Sequence, residues 1–244
     1  MTTELSDNTN PASDTTGQSA FKTLAGMFYE PARSFAAIKQ KSMLVLPLVL
    51  PIVGTAILLL WYYNQVDIAW LQDKLLAGKE LEPAQREAAL KFMTRSMMQN
   101  LGLAGAVLVP PIMYALMALY FLIVAKVVDV PVTFGKWFAM TAWAGVPGLI
   151  AIVLGFVQIL LADHGQLAPN QLNPLSVNQL FFHLEIGTPW SGILDGINVT
   201  TIWSIVLLAI GFQSWTGKSR FTSFLIAAAP AIVILAISAL FQGK

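Results

Sequence analysis

Five apolar stretches of membrane-spanning length dominate this chain: Met43 to Tyr63, Leu103 to Val128, Trp137 to Leu161, Val199 to Thr216 and Phe221 to Phe241. A helix needs about 20 consecutive apolar residues to cross ~30 Å of hydrocarbon. No water is available there to satisfy backbone groups, so a single-chain segment of this kind must be helical. The expected fold class is therefore an all-α polytopic membrane protein with five transmembrane helices. Composition agrees: 56% of the 244 residues are apolar and 11% charged, with a mean hydropathy of +0.67, beyond the range of ordinary soluble domains. The fourth stretch carries the weakest apolar signal.

The connectors orient the chain. Loop three, Ala162 to Asn198, holds 37 residues without one Lys or Arg, although the chain has fourteen. Positive charge is retained on the cytoplasmic side, so a connector of this length without any is expected outside. Lys22, Arg33, Lys39 and Lys41 precede the first span, Lys126 and Lys136 flank the second connector, and Lys218 and Arg220 make up half of the fourth, Gly217-Lys218-Ser219-Arg220. These eight would lie inside, against five in loop one and Lys244. The expectation is a multi-pass protein of a bacterial inner membrane, amino terminus cytoplasmic and carboxyl terminus exterior. The short second and fourth connectors force antiparallel neighbours, pairing span two with three and span four with five.

Residues 1–20 are polar, lack the basic-then-apolar order of a secretory signal, and read as a disordered cytosolic tail. Over 21–42, Phe21, Leu24, Phe28, Phe35 and Ile38 recur at helical spacing with Pro31 placed to open a second helix. That segment reads either as an amphipathic helix in the headgroup region, with Lys22, Arg33, Lys39 and Lys41 near anionic lipid on the cytoplasmic side, or as a lead-in packed on the bundle. The membrane domain occupies 43–241. Between spans one and two, Asp67 to Leu76 and Pro83 to Met98 predict an exterior helical hairpin, with Glu87 and Lys91 four apart for an ion pair and a stripe of Ala89, Leu90, Met93 and Met97.

The spans contain no Asp, Glu, Arg or His, and Lys126 lies near a helix end. Ion-coupled carriers hold ionisable groups near the midplane, so that coupling chemistry is absent from the pattern. Gln158, Gln213, Thr141, Thr200, Thr201 and Ser204 suit interhelical hydrogen bonds of about 0.6 kcal/mol each. Pro47, Pro51, Pro110, Pro111, Pro147 and Pro230 can kink their helices. Ala144 with Gly148, Ala151 with Gly155, and Ala227 with Ala231 are spaced for close helix contact, and Gly145 and Gly148 are expected to face neighbouring helices. With no cysteine, disulfides, thiolate metal sites and a Cys nucleophile are excluded. His183, Glu185, Asp163 and His164 in loop three are metal-ligand types without a metal-ligand spacing. No cofactor is expected, and a net charge of +1 offers no nucleic-acid footprint.

Three segments, taken in order, resemble a known family. Phe28-Tyr29-Glu30-Pro31 with Phe35 and Ile38, then Phe134-Gly135-Lys136-Trp137 leading to Ala142-Trp143-Ala144-Gly145-Val146-Pro147, then Ile202 to Phe212 around Trp203 and Gly211 are similar to the prokaryotic branch of the Yip-one family, the Rab-GTPase-interacting integral membrane proteins. The resemblance implies a five-helix bundle with the same orientation and a membrane role, in some members beside ABC-type exporters. It marks Pro31, Phe35, Pro147, Trp203 and Gly211 as structural family positions and no residue as catalytic. Eukaryotic members reach Rab-type GTPases through a longer amino-terminal region that the short polar tail here does not match, so that partner is not expected.

Two functional readings follow, and a third is weaker. The first is a non-enzymatic scaffold or accessory protein that binds other integral membrane proteins, an ABC-type exporter among them, within membrane lipid and with homo-oligomerisation open to it. The second is a transporter, channel or lipid-handling protein for an uncharged or lipidic substrate, motivated by the proline-broken spans. An intramembrane enzyme has only His164 and His183 in its favour.

Overall fold

The computed structural model describes residues 19–241. The disordered tail expected over 1–20 therefore lies, as far as residue 18, outside the described residues. The elements are α1 (Ala20–Tyr29), α2 (Pro31–Gln40), α3 (Val45–Gln65), α4 (Ile68–Leu76), α5 (Pro83–Phe92), α6 (Arg95–Val127), α7 (Phe134–Ala144), α8 (Gly148–Leu161), α9 (Ser191–Gly196), α10 (Val199–Thr216) and α11 (Arg220–Phe241). Among the described residues five helical units are long and apolar enough to cross a membrane: α3, α6, α7 with α8, α10 and α11. The chain is an all-α polytopic membrane protein. One end of the bundle carries the two tight connectors and the α1–α2 segment. The other carries the α4–α5 hairpin and loop three.

Two span boundaries depart from the sequence expectation. The second span helix begins at Arg95 rather than Leu103, because the Thr94 side chain accepts the Met97 amide at 3.3 Å and nothing in the next turns breaks the helix. Its 33 residues measure about 50 Å at ~1.5 Å per residue, so its first turns stand clear of the hydrocarbon. The second piece of the hairpin accordingly stops at Phe92, not Met98, and the Ala89–Met97 stripe is divided between two helices. The third span is two helices. Around Gly145-Val146-Pro147 the bonds tighten to three-residue turns, with Val146 N–H donating to Trp143 O at 3.2 Å where Pro147 has no amide to offer.

The amino-terminal segment is partly core. Ser19 caps α1 through the Lys22 amide at 3.2 Å, Glu30 leaves helical geometry, and Pro31 opens α2. Phe35 and Ile38 are fully buried, and Met27 nearly so, against α7 and α10. The headgroup-bound reading is thus corrected for α2, whose apolar stripe faces protein. Phe21 and Tyr29 on α1 remain exposed.

The main core lies toward the tight-connector end, around an aromatic cluster joining three spans. Phe121 of α6 stacks on Trp137 of α7 at 5.5 Å between centroids, and Trp137 lies 5.8 Å from Phe212 and 5.2 Å from Trp215 of α10. Offset aromatic pairs of this kind add roughly 0.5–1.5 kcal/mol each beyond area burial. A smaller core of Leu58, Tyr62, Val66, Leu71, Ile159 and Leu167 closes the opposite end.

Polar contacts between helices come mostly from residues other than those expected. Only Thr141 reaches another helix, donating to Tyr114 O at 3.1 Å. Thr200 and Thr201 instead bond Asn198, the cap of α10, and Ser204 bonds Thr200 O one turn back. Aromatic side chains supply four long-range bonds, Tyr62 to Leu167 O, Tyr120 to Ile226 O, Trp143 to Met43 O and Trp215 to Phe35 O, all at 2.8–2.9 Å. The Tyr120 bond has a clear cause. Pro230 has no amide, so the carbonyl four residues earlier, Ile226 O, loses its helical donor and receives one from α6 instead.

The small-residue expectation divides as well. A side chain on Gly145 would collide with the Tyr114 hydroxyl, whereas one on Gly148 would meet open space. Gly148 is therefore not at a helix contact. Gly155 is pressed against Leu58 and the Leu172 carbonyl.

Candidate functional site

Three surfaces stand out, and each is built by elements already placed. The first is a groove of about 820 Å³ between the α1–α2 break, α10 and the start of α11. Val206, Ala209, Ile210 and Gln213 recur at helical spacing and form one stripe of α10 along it, with Phe224 of α11 beside them. Arg33, Arg220 and Glu30 supply its charge, Arg33 and Glu30 standing 3.5 Å apart.

The second is an apolar cavity of about 360 Å³ in the seam of α6, α7, α10 and α11. Met113, Tyr114, Thr141, Gly145, Leu208 and Pro230 are among its lining residues. It lies where the third span breaks at Gly145 and where α11 carries Pro230, both of which line it. No charged side chain lines it.

The third surface is the platform at the long-loop end. Asp67 accepts the amides of Ala69 and Trp70 at 3.0 and 3.1 Å and fixes the start of α4. Gly165, at φ +70°, lets its carbonyl take the Asp67 amide at 3.0 Å; a Cβ there would strike Gln65 O. Gln72 donates to Met93 O at 2.9 Å and Arg86 to Asp73 at 2.9 Å, tying α5 and its C-cap to α4, and Arg95 donates to Val66 O at 3.1 Å, joining the start of α6 to the end of α3. Lys74 pairs with Glu185 at 2.7 Å, joining the hairpin to loop three. Loop three is organised by Asn178, which is buried, bonds both backbone groups of Leu184, and donates to Asp195 at 2.8 Å. The Glu87–Lys91 ion pair forms at 2.6 Å. Although it is held at both ends, α5 has no buried residue, and Phe92 is 56% exposed.

Four of the five marked positions meet along α2 and α10. Pro31 starts α2 and lines the first groove. Phe35 lies against Gly211, where an added Cβ would come within 3.2 Å of Phe35 and 2.9 Å of Met140 Sδ. Trp203 packs edge-on to Phe28 at 5.1 Å. Pro147 stands apart, at the break in the third span. Trp215 and Lys39 complete the seam: the indole donates to Phe35 O at 2.9 Å and the Lys39 ammonium donates to Trp215 O at 3.0 Å.

A family model for the Yip1 domain matches residues 25–241. The chain belongs to the Yip1 family. No curated protein and no solved structure matches it. The matched region begins within α1 and ends with α11, so the Yip1 domain here includes the α1–α2 segment as well as all five spans.

The residues considered as metal ligands have other surroundings. Asp163 and His164 form an exposed pair at 3.5 Å, and Glu185 is held by Lys74. Among the described residues no group of three His, Cys, Asp or Glu is arranged to hold a metal ion. Sequence reasoning missed Gln213 and Arg220 as groove residues. The signal was the stripe Val206, Ile210, Gln213 on α10, which differs from an ordinary lipid-facing stripe only by its polar end.

Proposed function

We propose that this Yip1-domain protein is a non-enzymatic membrane scaffold or accessory subunit, and that its platform of α4, α5 and loop three receives another integral membrane protein. The observation carrying this reading is α5: a capped and tethered helix with no residue buried in its own chain. Isolated ten-residue helices are marginal in water, so ordering one without burial is explained most simply by a partner surface. The outer side presents charges of both signs with Phe92, a mixed surface suited to a specific protein contact. An ABC-type exporter is the partner class that the prokaryotic branch of the family suggests.

In this reading the platform is exterior, the amino terminus cytoplasmic and the carboxyl terminus exterior, in a bacterial inner membrane. Loop three without Lys or Arg supports the orientation. Because the natural chain has no cysteine, a single Cys placed at exposed Gln166 tests it directly. An impermeant maleimide should label it in intact cells, and labelling only after lysis reverses the topology. For the partner, the protein is cross-linked in its native membrane, solubilised mildly and compared with an unrelated five-span control. A stoichiometric membrane partner is expected, and its reproducible absence defeats the scaffold reading.

The seam cavity favours the second reading, passage or handling of an uncharged substrate, since its lining carries no charge. Substrate-dependent flux in liposomes, lost on filling the cavity with Gly145→Leu, is the result that would prefer it.

A further inference from the structure

We propose that the groove between α2, α10 and α11 is a binding site for one anionic phospholipid, with the phosphate held by Arg33 and Arg220 and an acyl chain lying along α10. The inference does not rest on the scaffold reading. It starts from how the basic residues at this end are used. Lys39 is committed to Trp215 O and Lys136 to Gln40 O, at 3.0 Å each. The Arg220 side chain has no bond among the described residues, and the Arg33 side chain has only the 3.5 Å contact with Glu30, the Arg33 and Glu30 side chains each being about half exposed. The groove's charged lining is thus two guanidiniums against one carboxylate, a net positive mouth.

Its lining combines two kinds of chemistry. The two arginines and the Gln213 amide are polar or charged, and the first turn of α2 borders the groove. The Glu30 side chain makes no capping bond there, and the first amides of any helix lack internal partners. The apolar part of the lining includes Val206, Ala209, Ile210 and Phe224. From Gln213 to Val206 is seven residues, about 10 Å of helix rise. Val206 and Phe224 are partly exposed on spanning helices, so the apolar part opens sideways toward the acyl layer.

A soluble anion would use the arginines and leave the apolar stretch without an occupant. A neutral lipid would do the reverse. An anionic phospholipid matches both, with charge at the guanidiniums and a chain on the stripe. The volume of about 820 Å³ accommodates a headgroup and part of a chain rather than a whole lipid, as expected for a site open to the bilayer.

The test uses the purified full chain in mild detergent, titrated with phosphatidylglycerol or with phosphatidylcholine of the same chains, and read by native mass spectrometry. One retained phosphatidylglycerol is expected, with phosphatidylcholine weaker. Arg220→Gln should weaken phosphatidylglycerol by about tenfold, the loss expected for one charge-assisted contact, and Arg33→Gln by a similar factor. Val206→Trp should remove the retained lipid by filling the stripe, while Arg86→Gln on the far platform should change nothing. Equal retention of both lipids, wild-type binding by folded Arg220→Gln and Arg33→Gln, or equal affinity for inorganic phosphate would overturn the proposal.

Discussion

Tyr120 and Pro230 offer a quantitative test of how this bundle tolerates a proline in the middle of a span. Pro230 removes the amide that would serve Ile226 O, and the Tyr120 hydroxyl supplies a replacement at 2.9 Å from another helix. Tyr120→Phe keeps the ring and its edge contact with Phe121 but deletes the donor. Interhelical hydrogen bonds in bilayers average about 0.6 kcal/mol and reach about 1.7. With no helical donor to fall back on, this carbonyl belongs at the upper end, so a loss of about 1–1.5 kcal/mol is expected. Pro230→Ala restores an amide four residues on, and in that background Tyr120→Phe should cost no more than about 0.5 kcal/mol. The four proteins form a double-mutant cycle, measured by reversible unfolding in mixed detergent and denaturing surfactant. A coupling near 1 kcal/mol is predicted, whereas costs adding to within about 0.3 kcal/mol would show that the hydroxyl does not compensate the proline.

The remaining predictions concern packing, the α2 seam and the platform. Gly211→Leu and Gly145→Leu should each destabilise by about 1–3 kcal/mol through collision with Met140 and Tyr114, while Gly148→Leu should stay within about 0.5 kcal/mol of wild type in thermal unfolding. Trp215→Phe retains an aromatic ring but deletes the indole bond to Phe35 O, which keeps its own helical amide, so it should cost about 0.5–1.5 kcal/mol in the same assay; a neutral result would remove the seam's polar component. Lys74→Met breaks an exposed ion pair with Glu185 and should cost less than about 1 kcal/mol, a loss that disappears in high salt; persistence there would mean that the pair does more than join two loops.

The spans were legible because apolar length is a direct requirement of the bilayer, and α10 occupies the very residues, Val199 to Thr216, that its weaker pattern indicated. The start of α6 was not, since residues 95–102 are helical through capping and continuity rather than through apolar length. The division of the third span depended on how Gly145 and Pro147 act together, which neither residue announces alone. Burial of Phe35 and Ile38 was ambiguous for a physical reason: a stripe facing lipid and a stripe facing protein have the same period and polarity. The polar contacts were missed because hydroxyl-bearing Ser and Thr near Asn198 are consumed locally, leaving Tyr and Trp, which combine apolar bodies with a donor at the tip, to bridge helices. The groove on α10 drew on residues from distant parts of the chain, with Arg220 read only as an orienting charge and Arg33 as one of four basic residues near anionic lipid.

The platform is the central functional claim, and site-specific photocross-linking in the native membrane tests it most directly. A photoreactive residue is placed at Ala88 on α5, with a second at Ile232 on the outer surface of α11 as control, both positions being exposed. One discrete membrane-protein adduct from Ala88, absent from Ile232, is predicted. Adducts with lipid alone, or the same protein adducts from both positions, would contradict a dedicated partner surface on α5.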